Sequence, residues 1–156
     1  MEKIDNAAVW TKPYEILDQA EKFRKAAQRL REGVPEQGKG PIVMPSCICA
    51  ALSIELYFKF MIYAENENLD ELKEGGHKLD DLFCKVPSDL SRRVLDNIAP
   101  TIPEVAFIKI LSDYREAFEI WRYAYEYNKI TISTQLHQIA DLLSIECKKI
   151  NDALPI

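Results

Sequence analysis

Glycine is scarce in this sequence, with five in 156 residues. So few flexible positions suit a compact helical domain. Histidine is scarcer still, at two, and the four cysteines contain no C-x-x-C pair. Zinc sites need clustered His and Cys ligands at short spacings, so no metal and no cofactor is expected. Cys47, Cys49, Cys84 and Cys147 read instead as buried reduced thiols. Basic residues do not exceed acidic ones: 20 Lys and Arg face 25 Asp and Glu, for a net charge of −5. That balance lacks the broad positive footprint of sequence-independent nucleic-acid binders and leaves room only for local basic patches. No apolar run reaches the roughly 18 uninterrupted residues of a membrane span. Met1-Glu2-Lys3-Ile4-Asp5 is charged where a signal peptide needs an apolar core. We therefore expect a cytoplasmic chain with no membrane attachment.

What remains is a chain 47% hydrophobic and 29% charged, long enough for one domain with a real core over residues 1–156. The periodicity is helical nearly throughout. Residues 13–32 carry Ile16, Ala20, Phe23, Ala27 and Leu30 on one face, with Pro13 at the entry and Gly33 and Pro35 at the exit. A second helix from Met44 or Ser46 to Asn66 is apolar nearly all round, which predicts a central position. His77 to Lys85 forms a short helix closed by Pro87. Ser88 reads as the N-cap of a helix from Asp89 to Ile98, and Thr101 to Glu104 as a capping box. The helix opened there runs on to Tyr127, with a break expected near Ser112-Asp113. After a short extended ITIS segment, a last helix spans about 134–152. The fold class is all-α: a bundle of four long helices with additional short ones.

Three groups of polar residues stand out. Glu55 and Lys59 are one turn apart inside the most apolar helix. At i, i+4 they can pair along one face. Lys59 then either snorkels to water at the edge of the buried face or lines a polar groove between helices. Arg115, Glu119, Arg122 and Glu126 share another helix face, beside a stripe of Tyr114, Phe118, Trp121 and Tyr125. The aromatic stripe reads as core and the charges as a solvent-facing ladder, unless Arg122 reaches across to Glu55 and offers its planar fork to a phosphate or carboxylate. Gly75-Gly76-His77 is either a flexible turn or a means of delivering an imidazole to a helix start, where anions bind. His137 is expected at the surface. Lys22, Lys25 and Arg29 share a face near the end of the first helix, where cations stabilise the helix.

ALSIELYFKFMI, then GHKLDDLF, then FEIWRYAYE resembles, in order and spacing, the HEPN family of small helical domains. The resemblance implies a HEPN-like four-helix bundle that forms a homodimer with paired sites at its interface. Many members of that family cleave RNA without metal. Others bind RNA or nucleotides, act beside a nucleotidyltransferase, or belong to defence and toxin–antitoxin systems. The ribonuclease members carry R-x4-to-6-H on a helix. Arg122 matches the arginine, but residues 127–129 are Tyr, Asn and Lys, so the histidine is missing. Asn128 cannot replace it in proton transfer. The expectation is therefore a module that binds RNA or a nucleotide phosphate through Glu55, Lys59, His77, Lys78, Arg122, Glu126 and Tyr127. One alternative is a divergent metal-independent endoribonuclease, with Arg122 holding the phosphate, His77 or Glu55 moving protons and Tyr127 assisting. The other is a non-catalytic structural subunit.

Overall fold

The computed structural model describes residues 12–33, 43–66, 76–116 and 135–155. These are all-α: six helices and no strand among the described residues. They are α1 (Pro13–Glu32), α2 (Val43–Asn66), α3 (Leu79–Lys85), α4 (Ser88–Ile98), α5 (Glu104–Asp113) and α6 (Gln135–Ala153). Of the fourth long helix, expected to reach Tyr127, the described part is α5, which ends at Asp113, where a break is expected. Residues 117–134, with the ITIS segment and most of the aromatic stripe, lie outside the described residues. Tyr114 is buried, as core.

α1 begins where Pro13 fixes the first helical φ, and the Glu15 carboxylate accepts the backbone N–H of Lys12 at 3.0 Å. It ends at Gly33, with φ 69 and ψ −157, a backbone region open in practice only to glycine. α2 is long and apolar enough by composition to cross a membrane, yet 78% of that stretch is buried inside the fold. It is the central helix, with Ile54, Tyr57, Phe58, Phe60 and Met61 fully enclosed.

α1, α2 and α6 pack on one another as the main body. Cross-helix bonds give the directions. Ser46 meets His137 and the Tyr57 carbonyl meets the Cys147 thiol, so α2 and α6 run parallel. Glu21 meets Ser144 and Arg24 meets Asp141, so α1 runs antiparallel to both. The short helices hang on this body. Phe83 of α3 packs tilted at 5.3 Å from Phe58 of α2 and edge-on at 5.2 Å from Phe107 of α5. Such ring pairs add directional attraction to simple burial. α4 docks on α6, where Arg93 bonds the buried carboxylate of Glu146 at 3.1 Å.

Two expected caps are not formed. Ser88 is the first helical residue, and Pro87 before it is the N-cap. At α5 the cap is Pro103, again with no side-chain bond. In both places the fixed φ of proline starts the helix, and its carbonyl accepts the first helical bond, from Ser91 and Phe107 respectively. Glu104 is drawn away to Arg92 at 3.0 Å instead of folding back. The turn before it is held by the Ile98 carbonyl, which accepts from both Thr101 and Ile102, and by the burial of Ile102.

Candidate functional site

Glu55 and Lys59 lie on adjacent turns of α2, both buried, with Lys59 Nζ 2.7 Å from Glu55 Oε1. Lys59 does not snorkel: its ammonium stays inside, because the carboxylate replaces the water it would otherwise seek. His77 approaches from the turn before α3. Its Nδ1 is 2.6 Å from the same Glu55 Oε1 and 3.4 Å from Lys59 Nζ. A carboxylate oxygen only accepts, so the ring nitrogen donates to it. Having done so, that nitrogen has no lone pair left for Lys59. The 3.4 Å approach is two donors side by side on one shared oxygen. The imidazole itself is 82% exposed, while the Glu55 side chain beneath it is 11% exposed. The result is a water-facing ring anchored to an enclosed ion pair.

Local structure holds this ring in place. Gly76 sits at φ 72, a left-handed turn that any other residue would strain. On the other side Leu79 is buried, and Arg115 reaches Asp80 at 3.1 Å and Asp81 at 3.3 Å. Arg115, expected on a solvent-facing ladder, is thus a clamp on the first turn of α3. Lys78 is not part of the cluster; it pairs with Glu116 at 3.4 Å. Arg122, Glu126 and Tyr127 lie outside the described residues, and so does the expected Glu55–Arg122 pairing.

A second polar centre escaped the sequence reading. Glu21 Oε1 accepts from the hydroxyls of Tyr57 and Ser144, each at 2.5 Å, and its Oε2 meets Arg24 at 3.1 Å and Lys148 at 3.3 Å. Burial alone would push this carboxyl up. The hydrogen bonds from Ser144, Tyr57 and Arg24, with the guanidinium charge, outweigh it and bring it from 4.5 down to about 2. Burial, and then the bond to Glu21, raise the Tyr57 phenol. Burial works against the Arg24 charge, but Glu21 and Asp141 more than offset it and hold it firmly charged. The signal available in sequence was Glu21 next to Ala20 on the apolar stripe of α1, a position where an unpaired acid would be costly.

His137 is the largest departure from expectation. It is buried, not at the surface, with Nε2 2.6 Å from the Ser46 hydroxyl. Leu136, Ile139 and Ala140 around it face the core, and Ser46 gives the ring a polar contact there. The thiols also divide: Cys47 and Cys147 are buried, Cys49 is half-buried and Cys84 is exposed; none of the four forms a disulfide. Burial raises Cys47, Cys49 and Cys147 and so keeps them as inert thiols. Among the described residues no three His, Cys, Asp or Glu side chains converge as metal ligands would. In the basic group of α1, Lys22 pairs with Asp18 at 2.7 Å, an exposed pair that belongs to the helix itself.

No family model matches this chain, and neither does any curated protein or solved structure.

Proposed function

We propose that the chain is a HEPN-like four-helix module, cytoplasmic and homodimeric, that binds RNA or a nucleotide through a phosphate at the Glu55–Lys59–His77 cluster. The observation that carries this reading is the exposed His77 ring on a buried, lysine-paired carboxylate. With Nδ1 donating to Glu55, the protonated form of the ring presents an Nε2–H to water, and a charged N–H donor is what a phosphate oxygen seeks. Glu55 sets the ring's orientation, and Lys59 balances the charge of Glu55 so that the acid does not repel the ligand. Arg122 joins them in this reading as the bidentate phosphate contact. A nucleotidyltransferase-type protein is the partner the resemblance suggests, in a defence or toxin–antitoxin setting. The test is fluorescence anisotropy with single-stranded RNA and with a nucleotide, across a salt series. Binding that weakens steeply with salt and falls in both His77→Ala and Arg122→Ala supports it. Absence of binding to either ligand overturns it in favour of a structural subunit. Light scattering at micromolar concentration, expected at twice the chain mass, addresses the dimer separately.

A second reading is metal-independent RNA cleavage, favoured by the 2.6 Å contact between Glu55 and His77. A carboxylate that orients an imidazole and stabilises its charge is the usual support for a general acid–base histidine. His77 would then move the proton, with Tyr127 assisting. Cleavage in the presence of a chelator, slowed by roughly a hundredfold or more in His77→Ala, is the result that would favour it over binding alone.

A further inference from the structure

Two histidines occupy opposite environments in this fold, and only one has a ring nitrogen facing water with its other nitrogen engaged. Because Nδ1 of His77 donates to Glu55, the neutral ring carries its lone pair on Nε2. The ring is 82% exposed, so a small electrophile reaches that nitrogen without displacing any packed group. The backbone is fixed on both sides, by the left-handed turn at Gly76 and by the Arg115 clamp on Asp80 and Asp81. His137 is the counterexample within the same chain: 5% exposed, with Nε2 already against Ser46.

We propose that His77 is a phosphoryl-acceptor residue, modified at Nε2 by small, high-energy phosphoryl donors such as phosphoramidate or an acyl phosphate. In the step, the Nε2 lone pair attacks phosphorus and an N–P bond forms. In phosphoramidate the P–N bond breaks, and its electron pair leaves with a nitrogen that is already protonated, as ammonia. In an acyl phosphate the P–O bond breaks, and the carboxylate leaves with the pair. No electron is gained or lost overall. The ring becomes cationic as the bond forms, while Nδ1 keeps its proton. Glu55 lies 2.6 Å away and stabilises that charge as it develops. Glu55 is therefore a positioning and charge-stabilising residue here, and His77 is the nucleophile.

This inference uses the cluster of the proposed phosphate site but does not require RNA or nucleotide binding. The experiment treats the full chain with potassium phosphoramidate near neutral pH and follows intact mass and phosphorus NMR. Expected is one phosphoryl group per chain, stable in alkali and labile in acid, absent from His77→Asn. Glu55→Gln should slow its formation by about tenfold or more, the scale on which the orienting partners of metal-bound histidines act. If Glu55→Gln does not fold, nitrogen NMR of the native ring decides the same point: hydrogen on Nδ1 supports the proposal, and hydrogen on Nε2 alone overturns it. No adduct on the native chain, or an equal adduct on His77→Asn, also overturns it. An adduct without RNA or nucleotide binding removes only the proposed function; binding without an adduct removes only this inference.

Discussion

Glu21 and Glu55 are both largely enclosed carboxylates, and both accept two hydrogen bonds on a single oxygen. They differ in where their partners come from. Glu21 is closed by Tyr57 from α2, by Ser144 and Lys148 from α6, and by Arg24 on its own helix. Its acceptor capacity ties three helices together. Glu55 has one partner on its own helix and one in a turn, and the latter faces water. Burial and pairing alone therefore do not mark a site. What sets Glu55 apart is that its exposed partner is an imidazole, which can both donate and accept; the exposed partners of Glu21 and Glu146, namely Lys148, Arg93 and Lys149, are cations that only donate.

The sharpest way to break the comparison is Glu21→Ala. It strands the Tyr57 and Ser144 hydroxyls in the core and leaves Arg24 with Asp141 alone. Breaking a buried charged network from one side typically costs roughly 3–5 kcal/mol, and urea unfolding should report a loss on that scale. A loss no larger than that of an exposed site would show that the network is ornamental.

Acid sharpens it further. Glu21 titrates at about 2 in the fold and at an ordinary 4.5 when released. A lowered folded value means that the stabilisation is complete above pH 4.5 and drains away as pH falls toward about 2. The slope of stability against pH in that window should be visibly shallower in Glu21→Gln than in the native chain. Equal slopes would assign the acid sensitivity to other carboxylates.

Ser46→Ala is expected to have a smaller effect. It removes the hydroxyl against the buried His137 ring and leaves a polar nitrogen without it, a defect worth about 1–3 kcal/mol. Thermal unfolding measures it directly. Smallest of all is His77→Ala. Its ring is exposed and Lys59 still balances Glu55, so the unfolding free energy should change by less than about 1 kcal/mol. A large loss would make His77 part of the framework and erase the contrast with Glu21.

These two centres were not equally legible from sequence. The helices were, because Gly33, Pro87 and Pro100 punctuate them and the apolar steps between are regular. Glu55 with Lys59 was legible too, since i, i+4 geometry is local, and the glycines before His77 pointed to a turn. What failed involved distance or substitution of one device for another. Tyr57 and Ser144 stand 36 and 123 residues from Glu21, and Ser46 stands 91 from His137. Nothing in a local pattern tells a polar residue at the margin of an apolar stripe whether it meets water or a distant hydroxyl. Ser88 and Thr101 had the chemistry of caps, but the neighbouring prolines already set the backbone, so those hydroxyls were not needed.

The parallel run of α2 and α6 constrains how the chain reaches this state during synthesis. α1 and α2 emerge before α6 and can pair at once, since a short connection joins them. That pairing brings Glu21 to Tyr57 but not to Ser144 or Lys148, which are made later. Until α6 emerges, α2 lacks its contacts with Cys147 and His137. The contacts that complete the core therefore have high sequence separation, which slows closure because the intervening loop must be ordered first. A nascent chain stalled before α6 should expose the α1–α2 pair to chaperones and proteases, and docking of α6 should be the step that ends that exposure.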